Sequence, residues 1–178
     1  VSVETRLPLL DLDILSLDNK LLNKLDWTVI SMKRGIELYK YSKYKKYINW
    51  HIVSGLKDFN PEDINLKSLD ISVLDWGALS GNQNFSMSYN NLHTYKQFLD
   101  WDVINRRKDF VISNCILDEF KDYIDWTNAS SSQDITFSEA LIDKYHDKWD
   151  WPVFLKNPII IKYFSNAVKK YKTGFNIS

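Results

Sequence analysis

The chain has 178 residues, with 23 Lys+Arg against 23 Asp+Glu and a formal net charge of zero. Hydrophobic residues make up 44% and aromatics 15%, which excludes an intrinsically disordered chain and leaves room for a sizeable core. The charge balance argues against a general binder of nucleic acid or membrane surface. The lone cysteine, Cys115, excludes an intrachain disulfide, and no apolar run approaches the ~20 residues that span a bilayer.

Val1–Leu10 has no basic stretch followed by an apolar run, so no signal peptide is expected there. The expected location is intracellular, a host cell or a virion included. Residues 1–16, with Pro8, read as an irregular N-terminal capping segment. A repeat array is then expected over 17–174, and a C-terminal tail over 175–178.

The array announces itself through tryptophan. Six of the seven tryptophans are Trp27, Trp50, Trp76, Trp101, Trp126 and Trp151, separated by 23, 26, 25, 25 and 25 residues. A fixed period in this range marks a repeat architecture. Each follows a cap-type residue: Asp26, Asn49, Asp75, Asp100, Asp125 and Asp150. Asp and Asn favour the N-cap because their side chains accept the free N–H groups of the first helical turn. An apolar residue precedes each cap (Leu25, Ile48, Leu74, Leu99, Ile124, Trp149) and another follows four positions later (Ile30, Val53, Leu79, Ile104, Ala129, Phe154). That is the pattern of a hydrophobic staple. Each Asp-Trp or Asn-Trp step therefore predicts the start of a helix, called helix A, and Pro152 in a first turn is compatible with this.

In chain order, a helix carrying Leu17, Leu21, Leu22 and Leu25 is expected before Trp27. Helix A is predicted to be short, ~6–9 residues, and to depend on packing. Its end is marked by Ser31, Ser54, Ser80, Asn105 and Ser130, four residues after each tryptophan, and by breakers or polar elbows: Gly35, Gly55, Gly81-Asn82, Arg106-Arg107, Ser131-Ser132 and Asn157-Pro158. A second helix, B, is predicted to start at Pro61-Glu62-Asp63 in the second unit and at Ser86, Ser113 and Ser138 in the next three. Its inward stripes are Leu92, Tyr95, Phe98 and Leu99, then Ile116, Leu117, Phe120 and Ile124, then Leu141, Ile142, Tyr145 and Trp149, all at helical spacing. The opposite face is charged, as in Asp118, Glu119, Lys121 and Asp122. Ile159-Ile160-Ile161 is the one β-like run, or else an elbow entering the last helix B. Phe175-Asn176-Ile177 echoes the repeat without its tryptophan. The expected fold is all-α, an α-solenoid of about six short helix-pair repeats whose faces are buried by stacking, with tryptophan filling the junctions.

The segments Phe120-Lys121-Asp122-Tyr123-Ile124-Asp125-Trp126 and Tyr145-His146-Asp147-Lys148-Trp149-Asp150-Trp151 resemble the Asp-Trp repeats of uncharacterised proteins from giant viruses, phages and bacteria. The likeness runs from about Leu17 to Phe175. It implies a helical repeat protein and carries no catalytic residues with it. An excess of lysine over arginine, which occurs only at Arg6, Arg34, Arg106 and Arg107, fits an A/T-rich genome such as those sources have.

Chemistry-bearing patterns are sparse. The repeated aspartates could be imagined as an acidic metal ladder, yet capping accounts for their identity and spacing, and Asn49 suits a cap better than a ligand. His51, His93 and His146 fall at different phases of the repeat without metal-ligand spacing. Cys115 is expected in or near the core, with no base to activate it, and no phosphate-binding glycine loop occurs. No catalytic residue, metal or cofactor is therefore assigned. The one prominent patch is the basic, tyrosine-rich stretch Lys33–Tyr47, with Lys33, Arg34, Lys40, Lys43, Lys45 and Lys46 interleaved with Tyr39, Tyr41, Tyr44 and Tyr47. It reads either as a nucleic-acid or acidic-partner surface or as a helix B with Tyr44 and Ile48 inward and its lysines in water. A smaller basic group is Lys162, Lys169, Lys170 and Lys172. The expected function is a non-enzymatic protein-interaction or scaffolding module, with nucleic-acid binding through Lys33–Tyr47 as the alternative.

Overall fold

In a computed structural model of the chain the described residues are 18–39, 41–64 and 70–172. The predicted capping segment 1–16, the tail 175–178, Leu17 and Lys40 lie outside them, as do the side chains of Arg34 and Lys172. The described residues are helical and turn-forming throughout, with no strand among them. The expectation of an all-α chain is met. Ile159-Ile160-Ile161 is helical, the β-like reading being wrong: Ile160–Phe164 form a π-helical turn.

The chain divides into two compact units, Val1–Ser86 with Gln97–Asp100, and Met87–Lys96 with Trp101–Ser178. The first holds α1 (Asn19–Leu22), α2 (Trp27–Leu38), α3 (Trp50–Ser54) and α4 (Trp76–Gly81), with 3-10 turns at Pro61–Asp63 and Ile71–Val73. Here α3 packs against both α2 and α4. The second holds α5 (Tyr89–Tyr95), α6 (Trp101–Ile104), α7 (Asn114–Phe120), α8 (Trp126–Ser131), α9 (Glu139–Lys144), α10 (Trp151–Phe154) and α11 (Lys169–Lys172), with α8 against α10.

Every one of the six tryptophans opens a helix. The cap side chain accepts from first-turn N–H groups at Asp26, Asn49, Asp75, Asp125 and Asp150. Such caps contribute about 1 kcal/mol each. The staple partners Ile30, Val53, Leu79, Ile104, Ala129 and Phe154 are all buried, and Trp149 stacks on Phe154 at 4.8 Å between ring centroids.

Helix lengths depart from expectation. Apart from α2, the helices that open on tryptophan run only four to six residues. α2 instead runs 12 residues, straight through Gly35. Gly35 is therefore no breaker. A Cβ there would lie 2.4 Å from Cγ2 of Val53, so glycine is needed for close approach of α2 to α3.

Helix B is also uneven. It is a true α-helix at α5, α7 and α9. α5 starts two residues later than predicted, with Ser88 rather than Ser86 as N-cap, its hydroxyl accepting from Asn91 N. In the second unit of the repeat the described part is limited to the two 3-10 turns, where Pro61-Glu62-Asp63 nucleates a single turn. Between Tyr41 and Ile48 the chain forms consecutive i→i+3 turns rather than an α-helix. Leu21 and Phe98, predicted inward, are exposed, whereas the stripe of α7 (Ile116, Leu117, Phe120 and Ile124) is buried as expected.

Candidate interaction surface

Ser31, Ser54, Ser80 and Ser130 are fully buried. Each accepts a hydrogen bond from the backbone N–H of the next cap residue: Asn49 N to Ser31 Oγ 2.9 Å, Asp75 N to Ser54 Oγ 2.8 Å, Asp100 N to Ser80 Oγ 2.8 Å and Asp150 N to Ser130 Oγ 2.9 Å. Asn105 plays the same part with its amide oxygen, accepting from Asp125 N at 2.9 Å. An N-cap residue's own N–H has no intrahelical acceptor; here the preceding repeat supplies one. From the sequence these residues mark only helix ends, and their shared position four after tryptophan is the signal of the further role. The last repeat carries Leu155 at that position, an apolar side chain that cannot accept such a bond.

The tryptophans are the second fastener. All six indole N–H groups donate to the carbonyl five residues upstream, at Leu22, Lys45, Ile71, Lys96, Lys121 and His146, over 2.8–3.0 Å. The bond reaches a carbonyl near the end of the preceding turn or helix, where intrahelical donors run out; Leu22 O and Ile71 O also accept from Leu25 N and Leu74 N. The rings then pack on the helix-B segment of their own repeat: Trp27 on Tyr47 at 5.0 Å, Trp76 on Phe98 at 5.4 Å, Trp101 on Tyr123 at 5.0 Å and Trp151 on Tyr171 at 4.7 Å. Of the role expected of tryptophan at the repeat junction, the indole N–H bond reaches the preceding repeat, whereas these ring contacts join helix A to helix B within one repeat.

Polar elbows close the remaining backbone. Asn82 Nδ2 donates to Phe59 O at 2.9 Å, and Asn157 Nδ2 donates to Ser132 O at 2.8 Å. Buried Arg107 forks onto Asp109 at 2.9 and 2.6 Å, which holds the Asp109 carboxyl below the usual range.

The charged face of helix B, read from the sequence as solvated, carries interrepeat pairs. Asp118 accepts from both Lys144 Nζ and Tyr145 Oη at 2.6 Å. Asp143 accepts from Lys170 Nζ at 2.9 Å and Tyr171 Oη at 2.7 Å. Glu119 meets His93 Nδ1 at 2.9 Å and Lys96 Nζ at 3.3 Å. These donors stabilise the ionised carboxylates, and all three carboxyls are held below their usual values, the lysine bond leading in each. In the first unit, Tyr39 Oη donates to Asp63 at 2.6 Å. Burial first, then this contact, pushes the Tyr39 phenol up to about 12.

The basic stretch divides by burial. Lys33, Lys43 and Lys46 are exposed and Lys45 is half-buried. Tyr39 and Tyr44 are buried, Tyr44 being 2% exposed, as the helix-B reading expected of Tyr44 and Ile48. Tyr47 stacks on Trp27, and its buried hydroxyl has no hydrogen-bond partner among the described residues. Tyr41 is 50% exposed. Lys43 and Lys46 stand over the Tyr44 and Tyr47 rings at 5.4 and 4.7 Å. The stretch thus presents cations to water and most of its rings to the core.

The three histidines are exposed and apart: His51 lies 3.7 Å from Asp75, His93 joins Glu119, and His146 stacks on Tyr171. No group of three or more His, Cys, Asp or Glu able to hold a metal occurs among the described residues. Cys115, expected near the core, is exposed on α7 beside Ser113, because Ile116 and Leu117 take the inward positions. No helix among the described residues is long and apolar enough to cross a membrane. Large apolar side chains nonetheless reach water in both units: Met32 and Phe98 in the first, Val111, Ile161 and Tyr163 in the second.

Comparison of the chain with protein-family models, with curated proteins and with solved structures finds no match.

Proposed function

We propose that the chain is a non-enzymatic protein-interaction or scaffolding module, an α-solenoid of about six short helix-pair repeats akin to Asp-Trp repeat arrays of viral, phage or low-GC bacterial origin. The observation that carries the reading is the bond from the N–H of five caps, Asn49, Asp75, Asp100, Asp125 and Asp150, to the side chain four residues after the preceding tryptophan. It ties a repeat to its immediate neighbour, the condition for a stacked array. The recurrent Asp, Trp, Ser and Asn side chains are engaged in such fastening. What is left facing solvent is a mixture of large apolar and charged groups, which suits protein partners.

The test is affinity capture with the tagged full chain, followed by reconstitution of a binary complex from purified components. A defined complex at fixed stoichiometry supports the reading. Failure of every captured protein to rebind in purified form sinks it.

The exposed lysines favour a second reading, nucleic-acid binding through Lys33, Lys43 and Lys46. No acidic residue occurs between Glu37 and Asp58. Retention on DNA or RNA that weakens with salt and is lost on reversing Lys43, Lys45 and Lys46 to Glu would support it. Retention that survives the reversal would eliminate it.

A further inference from the structure

We propose that Lys162 and Tyr163 form an unfilled carboxylate clip that takes an Asp or Glu from an acidic, partly apolar segment of a protein partner; this rests on the protein-interaction reading above. The chain builds the same device twice and fills it itself. Lys144-Tyr145 grips Asp118 and Lys170-Tyr171 grips Asp143, the ammonium and the phenol donating together to one carboxylate. In both, the lysine Nζ stands over the neighbouring tyrosine ring, at 4.9 and 5.0 Å from its centroid. The ring contact restrains a long side chain before it meets its anion.

Lys162-Tyr163 repeats this placement, with Nζ 4.8 Å from the Tyr163 ring centroid. Tyr163 is 65% exposed, Lys162 is exposed, and neither meets a carboxylate among the described residues. Phase explains the difference. The filled pairs begin 18 and 19 residues after Trp126 and Trp151, opposite the acidic face of the helix before them; Lys162 comes only 11 after Trp151. The pair also sits in the π-helical turn Ile160–Phe164, a wider coil that recurs at functional sites. That turn carries Ile161, 56% exposed, beside the clip. An ammonium, a phenolic donor and an adjacent aliphatic surface together match a carboxylate flanked by an apolar side chain.

The other Lys-Tyr steps described do not offer this. Tyr44 is buried and the Tyr47 hydroxyl is enclosed, so their phenols cannot reach an incoming carboxylate. A phosphate backbone is the less fitting occupant, because one cation and one hydroxyl give a single contact rather than the series that nucleic-acid affinity needs.

The probe is a fluorescein-labelled peptide of Asp-Ser-Leu repeats, titrated with the full chain by anisotropy. Its counterpart has Asn for Asp, and oligothymidylate of equal length serves as competitor. The Asp peptide is expected to bind about 10-fold more tightly than the Asn peptide. Lys162→Ala and Tyr163→Phe should each weaken it by about 3- to 10-fold with an unchanged far-UV circular dichroism spectrum, and Lys108→Ala should stay within about 2-fold. Equal binding of the two peptides, no binding, indifference to both clip variants, or displacement of the peptide by oligothymidylate at lower concentration would each overturn the clip. The two failures are separable: a partner complex that tolerates Lys162→Ala with Tyr163→Phe removes the clip alone, whereas the absence of any complex removes the interaction reading with it.

Discussion

The backbone N–H of Asp150 donates to Oγ of Ser130 at 2.9 Å, across 20 residues of chain. Asp150 itself caps the helix that follows, accepting from Val153 N. One residue thus starts its own helix and is held by the repeat before it. The local cap and the nonlocal fastener meet at a single peptide.

Removing the Ser130 hydroxyl leaves that N–H facing a methyl group in a buried site. Ser130→Ala is expected to cost about 1–3 kcal/mol, or roughly 2–10 °C in melting temperature for a chain of this size. Ser131, next door, is exposed, and Ser131→Ala should stay within about 0.5 kcal/mol. Thermal unfolding followed by circular dichroism compares the two. Equal melting temperatures would show that the fastener contributes nothing.

Trp151→Phe keeps an apolar ring on Tyr171 but deletes the indole N–H that donates to His146 O at 2.9 Å. The side chain is almost fully buried, so loss of the bond and of ring area should together cost about 2 kcal/mol. Urea denaturation of the variant measures it. A variant as stable as the parent would deny the indole bond a structural role.

Glycine substitutions should divide by location. Gly77→Ala sits at an exposed helical position with nothing closer than Asp75 Oδ1 at 3.5 Å, and should stabilise by about 0.5–1 kcal/mol. Gly35→Ala offers the same helical gain but places a methyl 2.4 Å from Val53 Cγ2, in a core position with stiff β-branched geometry. It should destabilise by about 1–3 kcal/mol. Pairing it with Val53→Ala should show favourable coupling in a double-mutant cycle. A stabilising Gly35→Ala would contradict the close approach of α2 and α3.

The Asp118 and Asp143 carboxyls are held below their ordinary value of 3.8 by their lysine and tyrosine donors. A depressed folded-state value means the contribution is present above 3.8 and is lost as pH falls below it. Asp118→Asn with Asp143→Asn should therefore flatten the acid limb of a stability-against-pH curve and leave its alkaline limb alone. Tyr39 works at the other end. Its phenol is raised from 10.0 to about 12, so the folded state keeps a proton that the unfolded chain releases. That contribution is complete below pH 10 and declines as pH rises toward 12. Tyr39→Phe should lessen the alkaline decline; an unchanged slope would rule out this coupling.

Much of the fold can be read along the chain. A cap, a tryptophan and a staple partner lie within five residues of one another, and their interactions are local, so the start of each helix follows from composition and spacing alone. Trp27 through Trp151 open helices for that reason. The inward stripe of α7 followed from helical period for the same reason. The seryl and asparaginyl acceptors at Ser31, Ser54, Ser80, Asn105 and Ser130 could have been suspected from their constant register, but not their partners, which lie about 20 residues away.

What the sequence determined by itself is where each repeat begins and which local face is apolar, because short-range hydrogen bonds and side-chain spacing suffice for both. Only tertiary structure decided that Gly35 is a contact point rather than a break, that the tyrosines of the basic stretch turn mostly inward, and that two Lys-Tyr pairs hold an aspartate while Lys162-Tyr163 does not. Those outcomes depend on which side chain a neighbouring repeat brings into contact. Such distances are set by packing between segments, and residue identity within a segment does not contain them.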